Sequence, residues 1–218
     1  NFYFEGGVSE YVEWLTRDDE PLHKPVYILK TVDVEVGNEV QSIQVEAALQ
    51  YSKNDTERVR AYANNAYNPV GGTHLSGFRS ALTRTLGAYG EKEGMFKNDA
   101  KPQGEDYRQG LAAIINVSLP KPQFSSQTKV KLNNPEVEGV VSGAVSEVLG
   151  KYLEENPKAG QMIMKRVMFA AEEREAAAKA REALRKRKNI LSSGGLPGKL
   201  MDCSGRGDDT EMFLVEGD

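Results

Sequence analysis

Apolar residues alternate with polar ones along some stretches of the chain and recur every three to four residues along others, which separates predicted strands from predicted helices. From Val26 to Val36 an apolar start gives way to alternation, with Val32, Val34 and Val36 on one side and Asp33 and Glu35 on the other. That pattern predicts a half-exposed strand. Gly37-Asn38 predicts a hairpin turn, and the return strand sets Ile43, Val45, Ala47, Leu49 and Tyr51 against Gln44, Glu46 and Gln50. After a turn at Asn54-Asp55, Val59, Ala61 and Ala63 continue on a third strand. These three are expected to form an antiparallel meander with one wet face. A fourth strand alternates through Leu111, Ala113, Ile115, Val117 and Leu119.

Helical spacing appears four times. Ser9 is the expected N-cap of a helix carrying Tyr11, Val12, Trp14 and Leu15. Thr73 is the expected cap of a second, whose apolar positions Leu75, Phe78, Leu82 and Leu86 leave Ser76, Arg79 and Thr83 on a polar stripe. The segment from Gly90 to Asp106, rich in Lys, Glu, Gly and Asn, reads as a mobile surface loop. Asn134 caps and Pro135 opens a third helix with a continuous apolar stripe from Val137 to Leu153, ending at Asn156-Pro157. Pro157 then opens a long helix to about Lys188, some 45 Å at about 1.5 Å per residue. Its first half carries Met162, Ile163, Val167, Met168 and Phe169 and is able to pack. Beyond Ala170 it is alanine and dense charge, with pairs such as Glu175 with Lys179 and Glu182 with Lys186, the composition of a spacer or docking strut. Gly194-Gly195 breaks it, and Met212 to Val215 read as a short strand with Glu216 at its carboxyl end.

Between the fourth strand and the third helix lies Pro-Gln-Phe-Ser-Ser-Gln-Thr-Lys-Val-Lys, residues 122–131. Pro120 and Pro122 stop the strand and Ser125 and Ser126 suit a tight turn. Gln127, Thr128 and Lys129 then offer an amide, a hydroxyl and an ammonium in sequence, a trio able to grip an anion. On composition alone, a lysine in such a loop is solvated surface.

The chain has 218 residues, enough for one domain with an extension, and a formal net charge of −4. That charge argues against wrapping nucleic acid over the whole surface and leaves room for a local basic face. No apolar run approaches the roughly 20 residues of a membrane span, and no signal peptide is expected. The chain opens at Asn1-Phe2 without a methionine, so it is expected to be an excised fragment. Its one cysteine, Cys203, fits a reducing compartment. His23 and His74 lack Cys or His companions, which argues against zinc; His74 reads as a helix-start residue bonding locally.

Five segments change the picture. Phe4-Glu5-Gly6-Gly7, Gly71-Gly72-Thr73-His74-Leu75-Ser76-Gly77-Phe78-Arg79, Gln127-Thr128-Lys129, Leu196-Pro197-Gly198-Lys199-Leu200 and Val215-Glu216-Gly217-Asp218 fall in an order and spacing that resembles the B subunit of bacterial DNA gyrase over nearly the whole chain. The resemblance implies an α+β fold like domain 2 of ribosomal protein S5, a mixed sheet with helices on one face and a left-handed βαβ crossover. It implies a transducer domain over 1–189, its long connecting helix over about 157–189, and a linker with the first strand of a Toprim domain over 190–218.

The same resemblance implies roles for particular residues. Lys129, with Gln127 beside it, would reach into the ATP site of the preceding nucleotide-binding domain and contact the γ-phosphate. Arg79, with Arg84 as a lesser contributor, would face a cavity between two subunits in which double-stranded DNA is captured. Glu216 would supply one carboxylate for Mg²⁺ and for acid/base chemistry at the DNA cleavage site, with its Asp-x-Asp partners absent from this chain. Implied partners are the ATP-binding domain of the same subunit, the gyrase A subunit, DNA and a second B subunit, in a bacterial cytoplasm. The chain has no GxxxxGK[ST] motif, and the family's other nucleotide motifs would lie upstream of Asn1. By itself it is therefore expected neither to hold nor to hydrolyse ATP, nor to cleave DNA.

Two alternatives stay open. The related subunit of topoisomerase IV shares this architecture. An RNA-binding or structural domain of the S5-like fold would need a basic sheet face, whereas these strands present Asp33, Glu35, Glu39 and Glu46.

Overall fold

The computed structural model of the chain describes residues 5–96 and 101–192, with 186–192 described by backbone alone. Residues 1–173 and 174–218 form two units. In the first, β1 (Val26–Val36) and β2 (Glu39–Tyr51) make the predicted hairpin, with Ile28 opposite Ala47 and Val32 opposite Ile43. The meander stops there. β2's other neighbour is β6 (Leu111–Ser118), antiparallel, and β3 (Arg58–Ala63) lies beyond it, parallel to β6 and paired in turn with the two-residue β4 (Ala66–Tyr67). The sheet order is β1-β2-β6-β3-β4.

The reason for this order lies in β6. The central strand of a sheet must be apolar on both faces, and β6 buries Ala113, Ile115 and Val117 on one face and Ala112 and Ile114 on the other. β3 buries Ala61 and Ala63 and leaves Arg58, Val59, Arg60 and Tyr62 half-exposed, as suits a strand nearer the edge.

The two long helices α2 (Thr73–Lys92) and α3 (Pro135–Glu155) share one face of the sheet, as expected. Phe78, Leu82 and Leu86 of α2 and Val137, Val141, Val145 and Leu149 of α3 meet Ile28, Ile43, Val45, Leu49 and Ile115 in one core. The short α1 (Gly7–Thr16) covers part of the opposite face, with Val12 buried against Ala48, Ala112 and Ile114. A stretch of α4 (Pro157–Ser192) joins the main core through Ile163, Met164 and Val167, and Arg166 there pairs with Asp55. In the second unit the described part is helical, and residues 176–185 are exposed, in keeping with their alanine and charge. The expected Glu175–Lys179 ion pair is not formed.

Three caps differ from expectation. At α1 the capping position is Gly6, whose N–H is taken by the Glu10 carboxylate at 2.8 Å, so Ser9 lies inside the helix. Gly72 precedes α2, and the Thr73 hydroxyl is buried without a hydrogen bond among the described residues. Asn134 does precede α3, with Pro135 in its first turn, but its side chain bonds elsewhere. Gly90 belongs to α2, and Met95 and Phe96 pack on the core, so the stretch expected as a mobile loop begins as ordered structure.

Candidate functional site

The segment from Gln123 to Asn133 folds as a small hairpin. Asn133 N–H donates to Gln123 O at 2.8 Å, Phe124 bridges Leu132, and Ser125 N–H donates to Lys131 O at 3.0 Å. Its tip closes through Lys129 N–H to Ser126 O at 3.0 Å and a 2.7 Å contact between the Ser126 and Thr128 hydroxyls. Gln127, Thr128 and Lys129 are all exposed. Lys129 adopts the left-handed conformation, φ 56°, at a cost of about 1 kcal/mol for a residue with a Cβ. Its ammonium rests 5.7 Å from the centre of the Phe124 ring. Among the described residues no carboxylate lies within ion-pair distance of it, so its full charge is available to an anion brought from outside.

What the tip lacks in burial, its base has in anchorage. The Asn68 amide donates to the Lys129 carbonyl at 2.6 Å, and Val70 N–H donates to Val130 O at 3.1 Å. β5 (Gly71–Gly72) then pairs in parallel with β7 (Lys131–Leu132). Gly72 has φ 141°, and a Cβ there would overlap the Leu132 backbone. Asn134 closes the other end. Its Oδ1 accepts the Gln123 N–H at 2.6 Å, and its Nδ2 donates to Lys121 O at 3.1 Å and to the Glu136 carboxylate at 2.7 Å. The hairpin is thus seated directly on the first residues of both α2 and α3.

Those two helices are in backbone contact one turn further on. A Cβ on Gly77 would overlap the Glu138 carbonyl of α3. The run Gly71 to Gly77 is glycine-rich for steric reasons, since it passes the hairpin strand on one side and a neighbouring helix on the other. His74, inside this run, is fully buried, and among the described residues neither ring nitrogen has a hydrogen-bond partner, so the local bond expected of it is not seen there. Burial lowers its pKa to about 4.

Arg79 lies six residues into α2, about 9 Å from its start at about 1.5 Å per residue. Its Nη2 donates to Glu57 Oε1 at 2.6 Å, and Arg108 Nε donates to the other oxygen of the same carboxylate at 3.3 Å. Arg84 faces a different neighbour: its Nη2 donates to the Ser142 and Ser146 hydroxyls of α3 at 3.1 and 2.9 Å, and no carboxylate compensates it among the described residues. The two arginines are therefore not brought together. Glu216, like Cys203, Lys199 and the Met212 to Val215 strand, lies outside the described residues.

Sequence reasoning missed Asn68, Glu57, Arg108 and the loop-tying role of Asn134. Asn68 precedes Pro69 and a double glycine, a turn signal that pointed to the place without its partner. For Glu57 and Arg108, 51 residues apart, no local signal exists.

The family described as DNA gyrase B matches residues 7–183. The DNA gyrase B protein of Clostridium acetobutylicum is 44% identical over 220 residues, covering 100% of this chain and 33% of that protein. Among solved structures, the 43K ATPase domain of Thermus thermophilus gyrase B aligns with a TM-score of 0.72 at 35% identity, over 84% of this chain and 47% of that one. The topoisomerase IV ATP-binding domain of Francisella tularensis aligns with a TM-score of 0.63 at 25% identity, over 79% and 44%. The chain spans less than half the length of the curated relatives it matches. The family model's match over residues 7–183, most of the chain, shows that the chain belongs to the DNA gyrase B family.

Proposed function

We propose that this chain is the transducer part of an ATP-dependent type II DNA topoisomerase, a gyrase B protein, and couples the state of a nucleotide in the adjoining ATP-binding domain to the capture and passage of DNA. The observation that supports it most is the 125–129 tip, which presents to solvent an ammonium without a counter-ion among the described residues, on a base fastened to the starts of α2 and α3. In this reading Lys129 and Gln127 contact the γ-phosphate of ATP held by the neighbouring domain. In a site closed to water that attraction is several times stronger than in bulk solvent, and it disappears when the γ-phosphate leaves. The lysine's position fits the role because its side chain is exposed and, among the described residues, no carboxylate pairs with it.

A shift of the tip would pass to both helices through backbone contacts, Gly72 with Leu132 and Gly77 with Glu138, which have no rotamers to absorb it. Arg79 and Arg84 on α2 are the proposed DNA contacts, reading phosphate rather than base. The proposed partners are the ATP-binding domain, a gyrase A subunit, double-stranded DNA and a second B subunit. Glu216, with Mg²⁺, belongs to the proposed start of a Toprim domain over 190–218. Among the described residues no helix is long and apolar enough to cross a membrane.

The test is Lys129→Ala in the full-length subunit. ATP turnover should fall at least 100-fold, on the scale of losing one charge-stabilising donor in a closed site, while ATP binding persists. Turnover at the parent rate would remove Lys129 from the mechanism.

A further inference from the structure

The Arg79 contact to Glu57 is one half of a shared arrangement. Glu57, on the connection between β2 and β3, places one carboxylate oxygen on Arg79 Nη2 at 2.6 Å and the other on Arg108 Nε at 3.3 Å. Arg108 closes the single 3-10 turn Asp106–Arg108, and its Nη1 is fixed by the Gly104 carbonyl at 2.6 Å. Three segments remote in sequence therefore bring two guanidinium groups onto one oxyanion. One negative charge does not neutralise two positive ones, so the cluster keeps a net charge of +1. Each guanidinium uses a single nitrogen on the carboxylate, and among the described residues Arg79 Nη1 and Arg108 Nη2 make no hydrogen bond. Neither contact is the bidentate fork that guanidinium and oxyanion prefer. All three side chains reach solvent, at 41% for Arg79, 29% for Glu57 and 19% for Arg108. The half-exposed Arg79 end of the cluster is open to water and exchangeable, whereas the mostly buried Arg108 is held more firmly.

The geometry points to a phosphodiester site formed by Arg79 and Arg108 together, with Glu57 as its resting occupant, a carboxylate that a DNA phosphate displaces. The inference rests on the reading of Arg79 as a DNA contact and adds two residues to it. Arg108 is a second phosphate-binding side chain, and Glu57 is a counter-ion that lowers affinity until DNA is close. A phosphodiester presents two non-bridging oxygens much as a carboxylate does, and its arrival returns Glu57 to water. A DNA segment would then be held loosely and released readily, which suits a segment that must pass through.

The experiment uses the chain itself, a labelled 20-base-pair duplex and fluorescence anisotropy across a salt series, with a thermal melt of each variant. Arg79→Ala and Arg108→Ala should each weaken binding several-fold and make the slope of log affinity against log salt shallower by about one. Glu57→Gln keeps the shape of the side chain and removes its charge. It should tighten binding several-fold and steepen the same slope, and Arg108→Lys should recover part of the loss in Arg108→Ala. A purely structural role for Glu57 predicts the opposite sign, since loosening the cluster lowers affinity along with melting temperature. If Arg79→Ala weakens binding while Glu57→Gln leaves it equal or weaker, the inference is overturned and the reading of Arg79 stands. If Arg79→Ala leaves duplex affinity unchanged, that reading falls and takes the inference with it.

Discussion

Lys129 combines a backbone cost with a proposed role. Its left-handed backbone would suit glycine better, so Lys129→Gly should give a melting temperature equal to or above the parent's while ATP turnover in the full-length subunit should fall as far as is proposed for Lys129→Ala. A glycine variant with parent turnover would show that the ammonium is dispensable. His74 makes a second prediction at this scale. Its folded pKa of about 4 lies below the unfolded 6.5, so the unfolded chain takes up the proton first. Its contribution is therefore complete above about pH 6.5 and is lost as pH falls toward 4, amounting to about 3 kcal/mol over the window at about 1.36 kcal/mol per unit. His23 is lowered by burial as well, with Nε2 accepting the Tyr51 N–H at 3.0 Å, so it adds a slope of the same sign. Urea titrations at pH 7 and pH 4.5 check this: His74→Leu should lose less stability on acidification than the parent, and an equal loss would mean that His74 is not the titrating group.

At the scale of elements, the crossing of α2 and α3 depends on Gly77. A methyl group there meets the Glu138 backbone, which has no rotamer to yield, so the helices must separate. Gly77→Ala should cost about 1–3 kcal/mol as an overpacking substitution, despite alanine's better helix propensity, and Gly139→Ala on α3, where a Cβ meets open space, should be neutral or slightly stabilising. Denaturant midpoints of the two variants decide the matter: equal stability would mean the crossing is looser than it looks. Element identity was legible in the sequence because periodicity is local. Val32, Val34 and Val36 share a face, and the α3 stripe from Val137 to Leu153 is buried as its spacing requires. Which strand sits beside which was not legible. Alternation says which residues share a face and nothing about the neighbour, so the place of β6 between β2 and β3 came only from the structure.

For the whole molecule, the proposal separates nucleotide from DNA effects. In the full-length subunit assembled with the proposed gyrase A partner, Arg79→Ala should reduce supercoiling several-fold more than it reduces ATP binding, and its deficit should narrow as salt rises, as expected for one lost phosphate contact. Equal losses in both would place Arg79 in the fold rather than at the DNA. The sequence by itself determined the helices, the main strands, the polar loop that carries Gln127 to Lys129 and, through five short segments, the family. Each of these is written in residues close together along the chain, where backbone preference and side-chain period act directly. Only the tertiary structure decided that Asn68 holds the Lys129 carbonyl, that Asn134 ties the hairpin instead of capping α3, and that Arg79 and Arg108 converge on Glu57. Those partners are separated by 61, 11, 22 and 51 residues, and no local preference selects among the many polar groups a chain brings to such distances. The choice is made when the apolar core closes and leaves each of them only a few neighbours within hydrogen-bonding reach.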